Sequence, residues 1–457
     1  MRTRPSHRSL PRELLHLAWP VLVAQAAVMA NGVIDTLMAG RLSSLDLAAV
    51  GIGASVYATV YVTAMGVLLA LTPVVSHHFG AGRYQEIGAD VRQCAWLALA
   101  LSVLAFVVLK HPDALLSFSH LTPELEAKVR AYLDGAAWSA PGIMFFRVFF
   151  GLTAGVGRTR PIMVFNLLGL ALKPPLNWLL MYGQFGLPAL GAAGCGWSSA
   201  IIGWIVTLGA WTWCRRNPEY APYGVFARFE WPRCGALREL LALGLPMGAS
   251  FMMDVTAFTF MALFIARLGA EASAAHQVAA NVAVFVFMLP LALGNATGVL
   301  VGQSLGAGDS RSARHAGLLG LGVGFLFAAL FALAIGFGAP AIARAYTADP
   351  AVAAAAAGLL AIVAVYHLGD AAQAVAVQVL RGYKRATAPI AIYAVLLWGV
   401  GLGGGYVLGL TELAGPARGA AGFWVAAAMG LSLAAVALIA YFLRIAQAVP
   451  TPAATRA

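Results

Sequence analysis

Long apolar runs alternate with short polar stretches along the whole chain. Twelve runs are long enough to cross a bilayer, which takes about 20 residues of helix. They lie near 14–38, 48–76, 92–109, 129–152, 162–182, 192–213, 239–266, 274–301, 315–337, 352–380, 389–409 and 420–443. The longest of them must tilt, kink or protrude. Pro20, Pro73, Pro141, Pro174, Pro175, Pro246 and Pro290 fall inside or at the mouths of these runs, where each removes a backbone donor. The first run follows Arg2, Arg4, Arg8 and Arg12 but is too long for the apolar region of a signal peptide, so it reads as a retained helix.

The longest polar stretch between runs is 214–238, with five arginines, three prolines and two glutamates. It separates six spans from six. A shift of 226 positions lays 17–82 on 243–308 without a gap. LAWP then meets LGLP, Arg41-Leu42 meets Arg267-Leu268, and GAG meets GAG. Six spans per half give both halves the same orientation. The expected fold is therefore all-α: twelve transmembrane helices in two six-helix lobes, related by a pseudo-twofold axis along the membrane normal, with a cavity between them. The expected division is 1–213 for the first lobe, 214–238 for a cytoplasmic linker and 239–457 for the second lobe.

Composition sharpens this picture. Only 10% of the residues are charged, against about 25% in soluble domains. The net charge of +11 follows from the bias of Lys and Arg toward cytoplasmic loops. With both termini cytoplasmic, most of the basic residues fall on that side, in short loops and not on one face, so no nucleic-acid partner is expected. Cys94, Cys195, Cys214 and Cys234 have no metal or disulfide spacing. The chain has no P-loop, HExxH, GxSxG or CxxC motif.

Three acids sit well inside apolar runs: Asp35, Asp254 and Asp370. A charge at the centre of a membrane helix costs roughly 2.5–3.5 kcal/mol on insertion scales, so such residues face a bundle interior or a water path. His367 and Gln373 flank Asp370 at three residues on either side, and Asn31 precedes Asp35 by one turn. In the repeat register Asp254 overlays Val28, which shares a face with Asp35 two turns on. His276, with Gln277 and Asn281, is a further polar group, although a lone buried histidine usually bonds between helices. Phe251, Met252, Phe258, Phe285, Phe287 and Met288 could line a cavity for flat cations, with core or lipid packing the commoner role. Two cations, Arg147 and Lys173, also fall inside apolar runs. A carboxylate in this setting is neutralised by a proton, a small cation or a cationic substrate. If ion and substrate exclude each other there, alternating access gives antiport. Lys173 is expected to pair with Asp35, against an apparent difference in depth, which would leave ion coupling to Asp254 and Asp370.

The segments LAWPVL, VIDTLMAGRLS, KPPLNWLLMYGQFG, GCGWSSAI, AAHQVAAN, LRGYK and GAAGFW together resemble the multidrug and toxic compound extrusion (MATE) family of transporters, NorM type. The resemblance covers nearly the whole chain. It implies a twelve-helix, two-lobe fold and export of lipophilic, often cationic, drugs driven by Na+ or H+. It places the family's first-helix and tenth-helix acids on Asp35 and Asp370. Its seventh-helix acid, typically Glu, falls on Asp254, and its Asn-x-Pro-Leu-Asn motif reads Lys173-Pro-Pro-Leu-Asn177 here. Asp254 and Asp370 are thus the expected Na+ or proton carriers, with Asp35 beside them. His367, Gln373, His276, Gln277, Asn281, Asn31, Asn177 and Lys173 would give polar support. No catalytic residue and no cofactor beyond the coupling ion is expected. The chain is expected to be a monomer in a bacterial inner membrane. Two other readings are a flippase of lipid-linked oligosaccharides, which Lys173 and Arg147 would suit, and a membrane-embedded transferase.

Overall fold

The computed structural model describes residues 9–116, 121–413 and 415–448. Arg2, Arg4 and Arg8, singled out above, lie outside the described residues. Every regular element among the described residues is helical. In chain order these are α1 (Leu10–Gly40), α2 (Ser44–Leu68), α3 (Leu71–Gly80), α4 (Tyr84–Lys110), α5 (Asp113–Leu116), α6 (Pro123–Ala137), α7 (Ser139–Gly155), α8 (Arg160–Tyr182) and α9 (Ala192–Arg216). After a 3₁₀ turn, Pro218–Tyr223, come α10 (Cys234–Ala266), α11 (Ala270–Gly306), α12 (Ser310–Tyr346), α13 (Pro350–Gly382) and α14 (Thr387–Ile392). A π-helical stretch, Tyr393–Gly403, leads into α15 (Gly404–Leu410), and α16 (Ala420–Ala448) completes the set.

Among the described residues eleven spans are long and apolar enough to cross a membrane, and the α6–α7 pair, bent by 44°, makes a twelfth when taken as one span. The bend falls at Trp138, where the sequence shows one continuous run. Pro141 explains it, because it has no N–H for the carbonyl of Ala137. Pro73 does the same to Leu69, and the break between α2 and α3 falls at Leu69 and Ala70. Pro20, Pro174, Pro175, Pro246 and Pro290 lie inside unbroken helices.

The chain forms two compact units. One comprises Trp19–Gly248. The other comprises the chain from Ala249 onward, together with the start of α1 up to Ala18.

In the Trp19–Gly248 unit, α9 packs against α6, α7 and α8. Small residues make this possible, since helices in lipid gain little from burying apolar side chains and associate through close backbone contact. Gly194 shows the demand most clearly. A methyl group there would stand 2.7 Å from the backbone N of Met181 and 2.8 Å from the carbonyl carbon of Leu180, both on α8. Gly194→Ala is therefore expected to destabilise this unit by about 1–3 kcal/mol, the usual cost of overpacking. A thermal melt of the purified protein would show it, and an unchanged midpoint would count against so close a packing. The polar stretch after α9 is not a loose tether. Arg92 on α4 donates to Gly224 O at 2.6 Å and meets Glu230 at 2.7 Å, and Trp96 Nε1 donates to Glu230 O at 2.9 Å. Arg92, with Arg228 and Arg233 beside it, holds the Glu230 carboxyl down at about 2.

In the other unit α13 is the central helix, packed by α11, α12 and α16. Almost all of it from Gly369 to Gly382 is buried. A helix apolar all round belongs in such an interior, so a polar side chain on it must find its partners within the protein.

Candidate functional site

Two polar clusters stand inside the spans, one in each unit. The first joins α1, α8 and α9. The Lys173 ammonium lies 3.0 Å from Asp35 Oδ2. It also donates to Ser199 Oγ at 2.7 Å and Ser198 Oγ at 3.1 Å, with Cys195 O at 3.5 Å. Asn177 Nδ2 donates to Asp35 Oδ1 at 2.6 Å, and Asn177 Oδ1 accepts from Ser198 Oγ. Lys173 is only 2% exposed and Asp35 9%.

The difference in depth does not keep this pair apart. Tyr182 Oη donates to Met38 O at 3.0 Å, which sets the C-terminal ends of α8 and α1 level. At 1.5 Å per residue, Asn177 then falls beside Asp35, and Lys173 lies one turn lower, by about 6 Å. The four-carbon stem of lysine spans that turn.

The second cluster joins α10, α13 and the π-helical stretch. Asp370 is buried. Its Oδ1 accepts from Gln373 Nε2 at 3.2 Å, and Gln373 Oε1 in turn accepts from Tyr393 Oη. Asp254 lies within electrostatic reach of Asp370, and both lie within reach of Tyr366 and Tyr393. Asp254 lines one cavity with Ser250, Phe251, Phe287, Gln373, Arg381 and Tyr393. It lines another with Phe258, Met261, Tyr366 and Leu397. Among the described residues neither carboxyl stands in an ion pair, in contrast to Asp35. Two carboxylates, an amide and a phenol are suitable oxygens for a proton or a small hard cation, and aromatic walls suit a flat lipophilic one.

Arg381 belongs to this second cluster and was not singled out from the sequence. The apolar run ends at Leu380, so the arginine reads as a loop charge. In the structure α13 continues to Gly382, and Arg381 is 6% exposed. Its guanidinium lies 4.7 Å from the Phe251 ring centroid and donates to Gln378 Oε1 at 3.0 Å. Gln378 Nε2 donates to Asn295 Oδ1 at 2.6 Å. Tyr393, Ser198 and Ser199 were likewise missed, because a hydroxyl in an apolar run carries no signal of its own.

The remaining expected residues are dispersed. His367 is fully buried against Phe331, with neither ring nitrogen bonded. It and Gln373 stand three residues either side of Asp370, about 60° of helix each way, so one carboxyl turns to only one of them. His276 packs between Phe258 and Trp424, and its Nδ1 has no bond. Gln277 and Asn281 bond each other at 3.4 Å on the exposed side of α11. Asn31 shows no bond to Asp35, and its Oδ1 is buried without a partner. Met252 and Phe285 are exposed, while Phe251, Phe258 and Phe287 face the cavities. Arg147 donates to Tyr61 Oη at 2.9 Å and stacks on Tyr61 and Phe150. Asp46, in the first turn of α2, is a buried anchor that holds Lys128 and the backbone N of Ala192.

Comparison with known proteins puts these clusters in context. The family model described as MatE matches residues 20–179 and 246–407, one stretch on each side of the linker. The probable multidrug resistance protein NorM of Aromatoleum aromaticum is 41% identical over 436 residues, spanning 94% of this chain and 93% of that protein. The multidrug resistance protein MdtK of Photorhabdus laumondii subsp. laumondii is 37% identical over 430 residues, 94% of each. The crystal structure of a MATE protein in the bent conformation superposes with a TM-score of 0.89 over 98% of each chain, at 18% identity.

Proposed function

This chain belongs to the MatE family of multi-pass membrane proteins, and on that premise we propose that it is a cation-coupled antiporter exporting lipophilic, often cationic, drugs. The observation that carries this reading is the contrast between the two clusters. Asp35 is matched by a lysine at 3.0 Å. Asp254 lines an aromatic-walled cavity with Arg381 and with Gln373, which bonds Asp370, and among the described residues neither of these two acids stands in an ion pair. An acid inside a membrane span must be neutralised, so these carboxyls favour an incoming proton or Na+. A cationic substrate competes for the same charge. Exclusive occupancy by ion or drug, in a site open alternately to each side, gives exchange. The names of the relatives, which call them multidrug resistance proteins, support the drug as cargo. The chain would work as a monomer in the bacterial inner membrane with both termini in the cytoplasm, without a resident cofactor.

The basic pocket that a flippase of lipid-linked oligosaccharides would need finds no support in Lys173 and Arg147, and Arg381 lines its cavity beside the acid Asp254. Lys173 is neutralised by Asp35, and Arg147 is engaged by Tyr61 and Phe150.

The test is efflux of a dye-like cation from proteoliposomes under an imposed Na+ gradient and, separately, an imposed pH gradient. Export is expected under one of them. Absence of export under both overturns the reading. In the same assay Asp254→Glu is expected to keep coupled export, because it keeps the charge, while Asp254→Ala loses it. Equal rates in the two variants would show that the carboxylate is not the working group.

A further inference from the structure

The polar stretch between α9 and α10 carries three aromatic side chains that the protein itself leaves largely uncovered. Phe226 is 50% exposed, Phe229 70% and Trp231 73%. We propose that this stretch lies in the bilayer interface, with these three rings among the lipid headgroups and with Arg228 and Arg233 paired to the phosphates of anionic lipids.

The rings are not what holds the stretch in place. Polar bonds from α4 do that, and most of them reach the backbone. Arg92 donates to the carbonyl oxygens of Gly224 at 2.6 Å and Val225 at 3.3 Å. The buried Gln93 donates to Trp231 O at 3.1 Å and accepts from Arg233 N at 2.7 Å. Trp96 Nε1 donates to Glu230 O at 2.9 Å. A backbone fixed in this way leaves the side chains available for another contact. In a loop surrounded by water, three such rings would form an apolar patch with nothing to cover it.

Their position shows what covers them. Trp96 heads a stripe along α4 that continues through the exposed Leu99, Val103 and Val107 at helical spacing. In a membrane span that stripe faces lipid. Phe229 and Trp231 gather on Trp96, with ring centroids 6.0 and 6.2 Å from it and 5.3 Å from each other. On α9 the exposed Trp204 and Leu208 lead to Trp211, and Phe226 meets Trp211 edge-on at 5.9 Å. The rings of the stretch thus extend two lipid-facing stripes toward the ends of their helices, at the level where aromatic belts form.

Charge selects the lipid. Arg228 lies between Phe226 and Phe229 in sequence, and Arg233 follows Trp231. Both are exposed, and with Arg92 they share the single carboxylate of Glu230, at 2.6, 2.5 and 2.7 Å. Three cations on one anion leave a positive excess. Arg215 and Arg216 add to it, exposed at the end of α9, while Glu219, the other acid of the stretch, is bound by Arg158. Basic residues beside an apolar face that enters the interface attract anionic headgroups, and a planar guanidinium matches a phosphate through two N–H donors.

Contact of this kind depends on neither the cargo nor the coupling ion, so it and the export reading can fail separately. The experiment uses the full-length chain with Cys234→Ser, the other three cysteines being buried. One nitroxide label is attached at Phe226→Cys, Phe229→Cys, Trp231→Cys or, as a lipid-facing standard on α4, Val103→Cys. The protein is reconstituted in nanodiscs of phosphatidylcholine alone or mixed with phosphatidylglycerol. Collision rates with oxygen and with a neutral, water-soluble nickel chelate report the depth of each label. At 226, 229 and 231 oxygen is expected to dominate, as at 103 but less strongly. Phosphatidylglycerol should lower chelate access at these three positions and leave 103 unchanged. Arg228→Gln with Arg233→Gln should abolish that response, and Arg228→Lys with Arg233→Lys should keep it. Chelate collisions that exceed oxygen collisions at all three positions in both mixtures overturn the proposal. So does chelate access that phosphatidylglycerol leaves unchanged with both arginines present, or a response that survives in the glutamine variant.

Discussion

Asp370→Asn is expected to reduce gradient-driven efflux to the level of empty liposomes while the protein still inserts and folds. The substitution keeps the shape of the side chain and an oxygen that can accept from Gln373 Nε2, now 3.2 Å from Asp370 Oδ1. The Tyr393–Gln373 bond is also left in place. What it removes is the charge that a proton, Na+ or a cationic drug would neutralise, and with it the competition on which exchange depends. Asp254 alone would still attract a cation, so weakened drug binding could persist in the variant without transport. Efflux and equilibrium binding measured on the same preparation would separate the two. A well-folded Asp370→Asn protein that exports at the wild-type rate would show that this carboxyl does not carry the coupling.

The largest effect on stability is expected from Asp35→Asn, about 3–5 kcal/mol, the usual cost of breaking a buried ion pair from one side. The ammonium of Lys173, 2% exposed, would be left among neutral dipoles with no water to replace the carboxylate. Lys173→Ala, by contrast, leaves a carboxylate that a proton can neutralise, so it is expected to cost less than Asp35→Asn. The exchange Asp35→Lys with Lys173→Asp should recover part of the stability lost in the single variants, because lysine spans the turn from either end. Denaturation midpoints for the wild type, Asp35→Lys, Lys173→Asp and the exchange of the two form a double-variant cycle. Additive effects in that cycle would mean that the 3.0 Å contact contributes nothing specific.

These two acids show how far the sequence could be read. Asp35 and Asp370 stood out because each interrupts a run of residues suited to lipid, and the cost of a charge there does not depend on the rest of the fold. The pairing of Lys173 with Asp35 followed from the same energetic argument, since Asp35 was the only deep acid in that half. The polar support was harder to place. Gln373 bonds Asp370, but His367, equally near in sequence, turns to Phe331. Gln277 and Asn281 satisfy each other on an exposed face. A position on a helical wheel limits which side chains can meet, and neighbouring helices choose among them.

By itself the sequence determined the spans, their number to within the one bent pair, the polar break between halves, and the acids that cannot face lipid. Each of these is a local property: about 20 apolar residues, a proline without its N–H, or a charge with a solvation cost. Tertiary structure alone decided how the oxygens and charges group together. Asp35 and Asn177 stand 142 positions apart and meet only because α1 and α8 end at the same level. Tyr393 reaches Gln373 from the π-helical stretch, and Arg381 is buried because α13 runs past the end of its apolar pattern. Hydropathy records what each residue asks of its solvent. Which partner answers a buried polar group depends on the rotation and depth of packed helices, and the one-dimensional pattern does not contain those two coordinates.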